Sequence, residues 1–336
     1  MDMKNSLPNS KSSVVAYVIV AWNNKDLLNE CIESILKQDY VNKKIILVDN
    51  HSSDDTVEYL KTNYKDIILL PQEDNHGFAK GNNIGIKVAL EDPDVDFVVL
   101  LNTDARLAPK WTSTLVEAAL QRPKTATMQS ITLDYYDHEI IDSTHIYISQ
   151  NSQGTQGSWR LALPKDYDVA PMKVFGCNAA AMLITRKFIE AQPFADFFDE
   201  TMFMYLEDVD VATRALVMGW DNYVIPGVRA YHMGSASSSK NPSFSLYLTF
   251  RNNLSLLIKN LPLHILVSVL LSIPKADRAS MSHLRRTDRS KAISAIVKGR
   301  LASLIYIPIF LIKRHKLKAY RNIDTNYLWN LMRRGF

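Results

Sequence analysis

VVAYVIV, the stretch Val14–Val20, is a run of β-branched and aromatic residues with no polar alternation. Such a run is the pattern of a strand covered on both faces. After it, Asp26–Leu36 places Leu27, Leu28, Cys31, Ile32, Ile35 and Leu36 in a helical stripe. KIILV at Lys44–Val48 is a second buried strand, and Asp54–Thr62 a short helix. Asp66–Leu70, Asn82–Leu90 and FVVLL at Phe97–Leu101 then read as strand, helix and strand. Strands and helices that alternate through short connections predict an α/β fold with a mostly parallel sheet flanked by helices. Polar residues follow the strands: Asn23, then Asp49 and Asn50, then Asn102 and Asp104. Ligands of open α/β sheets bind beyond the carboxyl ends of strands. Any one of these residues reads equally well as a turn former; three clusters in succession favour a site.

The chain of 336 residues is 47% hydrophobic and 22% charged, the composition of a folded protein. Two cysteines, Cys31 and Cys177, supply neither a disulfide framework nor a cysteine-rich metal site. The polar opening MDMKNSLPNSKSS lacks the apolar core of a secretory signal, so residues 1–13 are expected to be a tail. No Gly-x-Gly-x-x-Gly, no phosphate-loop Gly-Lys-Ser/Thr and no His-Glu-x-x-His occurs, which disfavours dehydrogenase, ATPase and zincin chemistry. Further along, Ser149–Ser158 reads as a flexible loop, Asn178–Ile184 as a strand and Gly234–Pro242 as a mobile segment. Glu207–Met218 reads as a helix stopped by Gly219, with carboxylates in its first turn.

Six segments in order carry a resemblance: VIVAWNN at Val18–Asn24, ILVDNHSSDDT at Ile46–Thr56 and NHGFAKGNNIG at Asn75–Gly85. They continue with VVLLNTDA at Val98–Ala105, FFDETMFMYLEDVDVATRALVMGW at Phe197–Trp220 and HMGS at His232–Ser235. This series resembles the family 2 glycosyltransferases, and within them a rhamnosyltransferase-like branch that builds cell-surface polysaccharide such as O-antigen or cell wall. The resemblance covers roughly residues 14–260. It implies a GT-A type fold, with a nucleotide-binding half at 14–108 and an acceptor-binding half at 109–260. It also implies inverting transfer of a sugar from a nucleoside diphosphate, dTDP- or UDP-linked, to a saccharide or polyprenyl-linked glycan, assisted by a divalent cation, Mg²⁺ or Mn²⁺. The sequence departs from the family at Trp22, where Tyr is usual, and at Ala195-Asp196, where glycine usually precedes the Phe-Asp-Glu element.

Breaking a glycosidic bond to diphosphate develops negative charge that hard oxygen ligands and a cation can neutralise. Asn102-Thr103-Asp104 resembles the family's Asp-x-Asp metal signature, which implies Asp104 as a metal ligand and Asn102 as a ligand or ribose partner. His232 occupies the family position for a second metal ligand. The family assigns Asp49 to the imide of the base, which uracil and thymine share, with Asn23 and Asp54 supporting the pocket. Gly77 and Gly81 permit close backbone approach. Lys80 reads either as a phosphate contact or as a solvated helix residue. Arg251 reads either as a diphosphate ligand, for which its planar fork is suited, or as an ordinary helix residue. The family places the base in Glu207-Asp208, with Asp208 the usual assignment; two adjacent acids repel, which raises one pKa. Asp210 points elsewhere and is given a structural role. An inverting displacement needs no enzyme nucleophile, in keeping with the lack of any Ser-His or Cys-His pairing.

From Lys275 onward there are 15 Lys and Arg against three acidic residues, a net +12; with +4 for the whole chain, residues 1–274 carry −8. LPLHILVSVLLSI at Leu261–Ile273 and LASLIYIPIFLI at Leu301–Ile312 belong with these cations to a basic, apolar helical extension expected at 261–336. Each is too short to span ~30 Å of hydrocarbon. Aliphatic blocks flanked by Lys and Arg suit an anionic membrane interface, which places the enzyme peripherally on the cytoplasmic face of the inner membrane. The competing reading packs both blocks as core helices or against a partner subunit, a homo-oligomer included. Nucleic acid is not an expected partner, since the cations alternate with aliphatic blocks and not with an aromatic recognition surface.

Overall fold

The computed structural model describes residues 13–164, 170–234, 241–282 and 289–333. Its first half alternates as the sequence predicts: β1 (Val14–Ala21), α1 (Lys25–Leu36), β2 (Lys43–Asp49), α2 (Thr56–Asn63), β3 (Ile68–Pro71), α3 (Gly77–Leu90) and β4 (Val95–Leu101). β1 lies between β2 and β4 and runs parallel to both, with β3 parallel beyond β2. Its side chains alternate between two cores. Val15, Tyr17 and Ile19 join one with residues of α1, while Ala16 and Val18 join the other with Ala79 and Ile86 of α3.

The chain continues through β5 (Ala105–Leu107), α4 (Trp111–Leu120), β6 (Thr125–Asp134), β7 (Ile141–Ser143), β8 (Ile146–Ile148), β9 (Gly154–Gln156), β10 (Met172–Val174), β11 (Ala181–Thr185), α5 (Arg186–Glu190), α6 (Glu207–Val217) and β12 (Asp221–His232). The described sheet has the order β10-β12-β6-β11-β4-β1-β2-β3, with β5 added to β12 and β7 to β6. β11 is antiparallel to both β4 and β6 and joins the two halves. The fold is therefore the mixed, mostly parallel sheet flanked by helices that the sequence led us to expect. Ser149–Ser158 differs from its expected flexible loop. It contains β9, which pairs with β8, and Ser152 is buried with its carbonyl accepting from Asn253 Nδ2. Most of the Gly234–Pro242 segment, and Ser235 of the HMGS motif, lie outside the described residues.

Helices α7 (Pro242–Asn260), α8 (Leu263–Ser282), α9 (Arg289–Ile305), α10 (Ile307–Lys318) and α11 (Thr325–Arg333) complete the chain. Of these, α7, α8, α10 and α11 share a third core with α6: Leu216, Val217, Leu256, Leu257, Ile265, Val269, Leu317 and Leu328 pack together. At the other end, residues 1–12 lie outside the described part, and Ser13, expected in the tail, is buried with its carbonyl bonded to Tyr40 OH at 2.7 Å.

The contact of α3 with β1 is made at backbone distance. A Cβ added to Gly85 would stand 2.3 Å from Val18 Cγ1, in a strand that is fixed on both sides. Gly85→Ala is expected to destabilise the protein by about 1–3 kcal/mol through overpacking, read as a lower urea midpoint at unchanged slope. A midpoint equal to wild type would show that α3 can slide away from the sheet.

Candidate active site

A cleft of about 290 Å³ opens at the carboxyl ends of β1 and β4, where β11 begins. One wall is the start of α6. Its first turn presents Glu207 and Asp208, where the helix N-terminus favours negative charge. Asp208 Oδ1 accepts from Val209 N at 2.7 Å and Oδ2 from Ala179 N at 3.4 Å. Burial pushes the Asp208 carboxyl up to about 6, against the pull of these N–H donors. Glu207 is also raised, by burial and then by the adjacent Asp208 and by Asp210, and its Oε2 is buried without a partner. The helix is entered through Tyr205 and Leu206, which line the cleft with φ of 70° and 67°, and Met204.

The facing wall is built by strands. β5 pairs with β12 so that His232 lies opposite Ala105, and its imidazole meets the preceding residue: Nε2 is 3.3 Å from Asp104 Oδ1. On its other side Nδ1 is 2.9 Å from Asp142 Oδ2, brought there by β7 pairing on β6. Burial disfavours the charged ring, but the two flanking carboxylates outweigh it and hold His232 up to about 10. An imidazolium thus balances the two acids.

Asp104 and His232 also fit a divalent cation, whose binding would displace the ring proton. A hard carboxylate and an imidazole converge at 3.3 Å, Asn102 lines the same cleft, and Asp142 orients the ring as a second partner behind it. Among the described residues no group of three or more His, Cys, Asp or Glu forms a closed metal cage. Such an open pair suits a cation that completes its shell with substrate phosphate oxygens.

A family model described as glycosyl transferase family 2 matches residues 17–190, more than half of the chain. The protein belongs to glycosyl transferase family 2. Across 218 residues it is 25% identical to the N-acetylglucosaminyl-diphospho-decaprenol L-rhamnosyltransferase of Mycobacterium tuberculosis, covering 60% of this chain and 70% of that one. Among solved structures it resembles GalNAc-T7 with UDP, GalNAc and Mn²⁺, at a TM-score of 0.60 and 15% identity over 89% of this chain and 56% of the other. It also resembles the mannosyltransferase PcManGT from Pyrobaculum calidifontis in complex with GDP-Man and Mn²⁺. There the TM-score is 0.52 and the identity 16%, over 91% of this chain and 85% of the other. These likenesses show the GT-A fold, and the chain is an enzyme of the glycosyltransferase class.

In this family 2 glycosyltransferase the cleft gathers Gly77, Asn102, Asp104, Glu207, Asp208 and His232 from distant parts of the sequence. Gly77 is required there: its φ is +72°, and a Cβ would stand 2.6 Å from the Phe203 carbonyl. Asn23, Asp49, Asp54, Lys80 and Arg251 do not line it. Asn23 Oδ1 accepts from Ser53 N at 2.7 Å and Asp54 N at 3.3 Å, which ties the loop after β1 to the loop after β2. Asp54 accepts from Thr56 N and from Lys25 N, so it organises the same junction. Asp49 is buried behind the cleft, with Oδ2 bonded to Ser52 N and Oδ1 without a partner. Lys80 sits half-buried on α3. Arg251, read either as a diphosphate ligand or as an ordinary helix residue, is buried, and its Nη2 donates to the Thr201 and Met202 carbonyls at 3.0 and 2.8 Å and its Nε to Asn252 Oδ1.

Asp142, Gln156, Asn178 and Tyr205 are the residues that reading the sequence missed. Each comes from a short strand or an irregular segment whose place is set by long-range pairing. Asp142→Asn removes one of the two carboxylates facing His232, so the imidazole should titrate lower. A fall of about 1–3 units from about 10 is expected, by ¹H–¹⁵N NMR of the ring. An unmoved titration would show that Asp104 alone holds the proton.

Proposed function

We propose that this chain is an inverting, metal-dependent glycosyltransferase of cell-surface polysaccharide synthesis, and that it transfers L-rhamnose from dTDP-rhamnose to a saccharide or polyprenyl-linked glycan. The observation that carries the proposal is one cleft with a raised-pKa carboxylate on one wall and the Asp104–His232 pair on the other. Asp104 and His232 would hold Mg²⁺ or Mn²⁺, which when bound neutralises charge on the departing diphosphate. Asp208 accepts the acceptor hydroxyl proton as the new C–O bond forms at the anomeric carbon and the bond to diphosphate breaks. One displacement from the opposite face inverts the centre, and no enzyme nucleophile takes part. Rhamnose and a polyprenyl acceptor are supported by the mycobacterial relative, which is named for both.

The C-terminal helices support work at a membrane surface. α10 is built inside out. Its inward face carries Phe310, Lys313, Arg314 and Leu317, with Arg314 Nη1 donating to the Ile258 and Leu261 carbonyls. Its outward face carries Ile309, Leu311 and Ile312, and α9 adds Leu301, Leu304 and Ile305. Lys298, His315, Lys316 and Lys318 stand exposed among them. Among the described residues no single helix is long and apolar enough to cross a membrane; α9 and α10 satisfy that test only together and are bent by 60°. Aliphatic and cationic side chains on bent, short helices suit the headgroup boundary of an anionic leaflet, on the cytoplasmic face where the nucleotide sugar is made available.

A donor panel of dTDP-rhamnose and UDP-hexoses, offered with a lipid-linked glycan extract, tests the whole reading. Rhamnose should move, stop in excess EDTA, and be lost with most activity in Asp104→Ala. Full activity in EDTA would overturn the metal role, and a chain that consumes no donor would be a scaffold.

The base is tested by pH. Asp208 must be deprotonated to accept a proton, so kcat should rise with pH through about 6 and level above it. Asp208→Asn should lower kcat by roughly 10²-fold or more with little change in donor KM. Normal turnover would move the role to Glu207.

A further inference from the structure

Asp199 lies at the meeting point of three parts of the molecule. Its Oδ1 caps the 3₁₀ turn Glu200–Met202 by accepting from Thr201 N and Thr201 Oγ1, at 3.2 and 2.7 Å. That turn leads into Phe203, Tyr205 and Leu206, with φ of 62°, 70° and 67°. Side chains other than glycine keep such conformations only where their surroundings hold them. Some of this support comes from α7, where Asn252 Nδ2 donates to the carbonyls of Met202, Met204 and Tyr205. The rest comes through charge. Lys259 Nζ lies 2.8 Å from Asp199 Oδ2 and 2.7 Å from Asp210 Oδ2, and Asn260 Nδ2 lies 2.7 Å from Asp210 Oδ1. Asp210 is two residues beyond Asp208 in the first turn of α6.

The chain of ions ends on α10. Lys313 Nζ lies 2.6 Å from Asp199 Oδ1, and it is the outermost member, its side chain 25% exposed where those of Lys259, Asp199 and Asp210 are at most 1%. Beside it a cavity of about 320 Å³ separates α10 from the loop, lined by Phe194, Asp199, Glu200, Lys259, Lys313 and Lys316. Lys313 therefore reaches the loop beside a gap, while Phe310, Arg314 and Leu317 hold the rest of α10 inward. A 12-residue helix is marginal by itself. Its outward aliphatic face, Ile309, Leu311 and Ile312, is exposed.

We propose that Lys313 is a positioning residue: by gripping Asp199 from α10 it sets the loop and the first turn of α6 that carry Asp208, so that seating α9 and α10 on an anionic lipid surface speeds transfer. The proposal rests on the transferase reading in taking Asp208 as the base. Removing Lys313 leaves Asp199 still paired with Lys259, so the fold survives the loss and catalysis registers it.

The test uses the full chain, vesicles of phosphatidylglycerol and phosphatidylethanolamine, and hydrolysis of the donor selected by the panel, which needs no lipid acceptor. Wild type should float with the vesicles and turn over roughly tenfold faster on them, the scale of a sub-ångström misplacement of a reacting group. Lys313→Ala should float equally, keep its donor KM, lose about tenfold in kcat and gain nothing from vesicles. Lys313→Arg should restore most of the stimulation. Ile309→Ser with Ile312→Ser should stay in solution at the basal rate of wild type. Hydrogen exchange reads the coupling independently of turnover: vesicles should protect amides 199–208 in wild type and not in Lys313→Ala. Wild-type kcat and stimulation in Lys313→Ala would overturn the proposal, as would unchanged exchange on vesicles. Loss of kcat with a matching loss of thermal stability and no rescue by arginine would overturn it too, making Lys313 a folding residue. A wild type that moves no sugar in the donor panel refutes the catalytic reading on which Asp208 is the base, and exchange still decides the coupling.

Discussion

A carboxylate in an apolar interior needs a charged or hydrogen-bonded partner, and Asp210 sits at 0% exposure in the first turn of α6. Its partners, Lys259 and Asn260, come from the end of α7. Arg214, one turn further on, lies 3.9 Å away and donates to the Phe197 carbonyl. The helix that carries the acid pair therefore cannot be placed without α7, and α7 in turn is packed against α9 and α10. Breaking such a buried pair by removing one partner costs roughly 3–5 kcal/mol. The C-terminal extension is part of how the cleft is built.

The cleft itself works by separation of charge. Acidic residues crowd the α6 wall, where burial keeps Asp208 and Glu207 above the usual carboxylate range and the neighbouring Asp208 and Asp210 add repulsion at Glu207. Across from them two carboxylates are balanced by one imidazolium. The two walls therefore differ in charge: one crowds acids together, while the other sets an imidazolium between two of them. Environment, and not residue type, divides the labour among four acids.

α10 shows how far tertiary context can invert an ordinary pattern. Lys313 and Arg314 turn inward because Asp199 and the end of α7 offer them a carboxylate and open carbonyls. The aliphatic residues before them, Ile309, Leu311 and Ile312, are left facing outward. Each face of this helix has a physical partner to find, one inside the protein and one outside it.

By itself the sequence determined the alternating half of the fold, because a buried strand announces itself in seven consecutive residues and a helix in its 3.6-residue stripe. It also carried the order of motifs through which Asp104, Glu207, Asp208 and His232 point to one chemistry. Only the tertiary structure decided what those residues touch. Asp142 reaches His232 through the pairing of β7 on β6, a contact across 90 residues that no local pattern encodes. Arg251 has the chemistry of a phosphate ligand, yet the carbonyls of a strained turn lie closer and take its donors. Local preference is written in neighbouring side chains, whereas the partner of a buried charge is chosen by whichever distant element the fold brings within 3 Å.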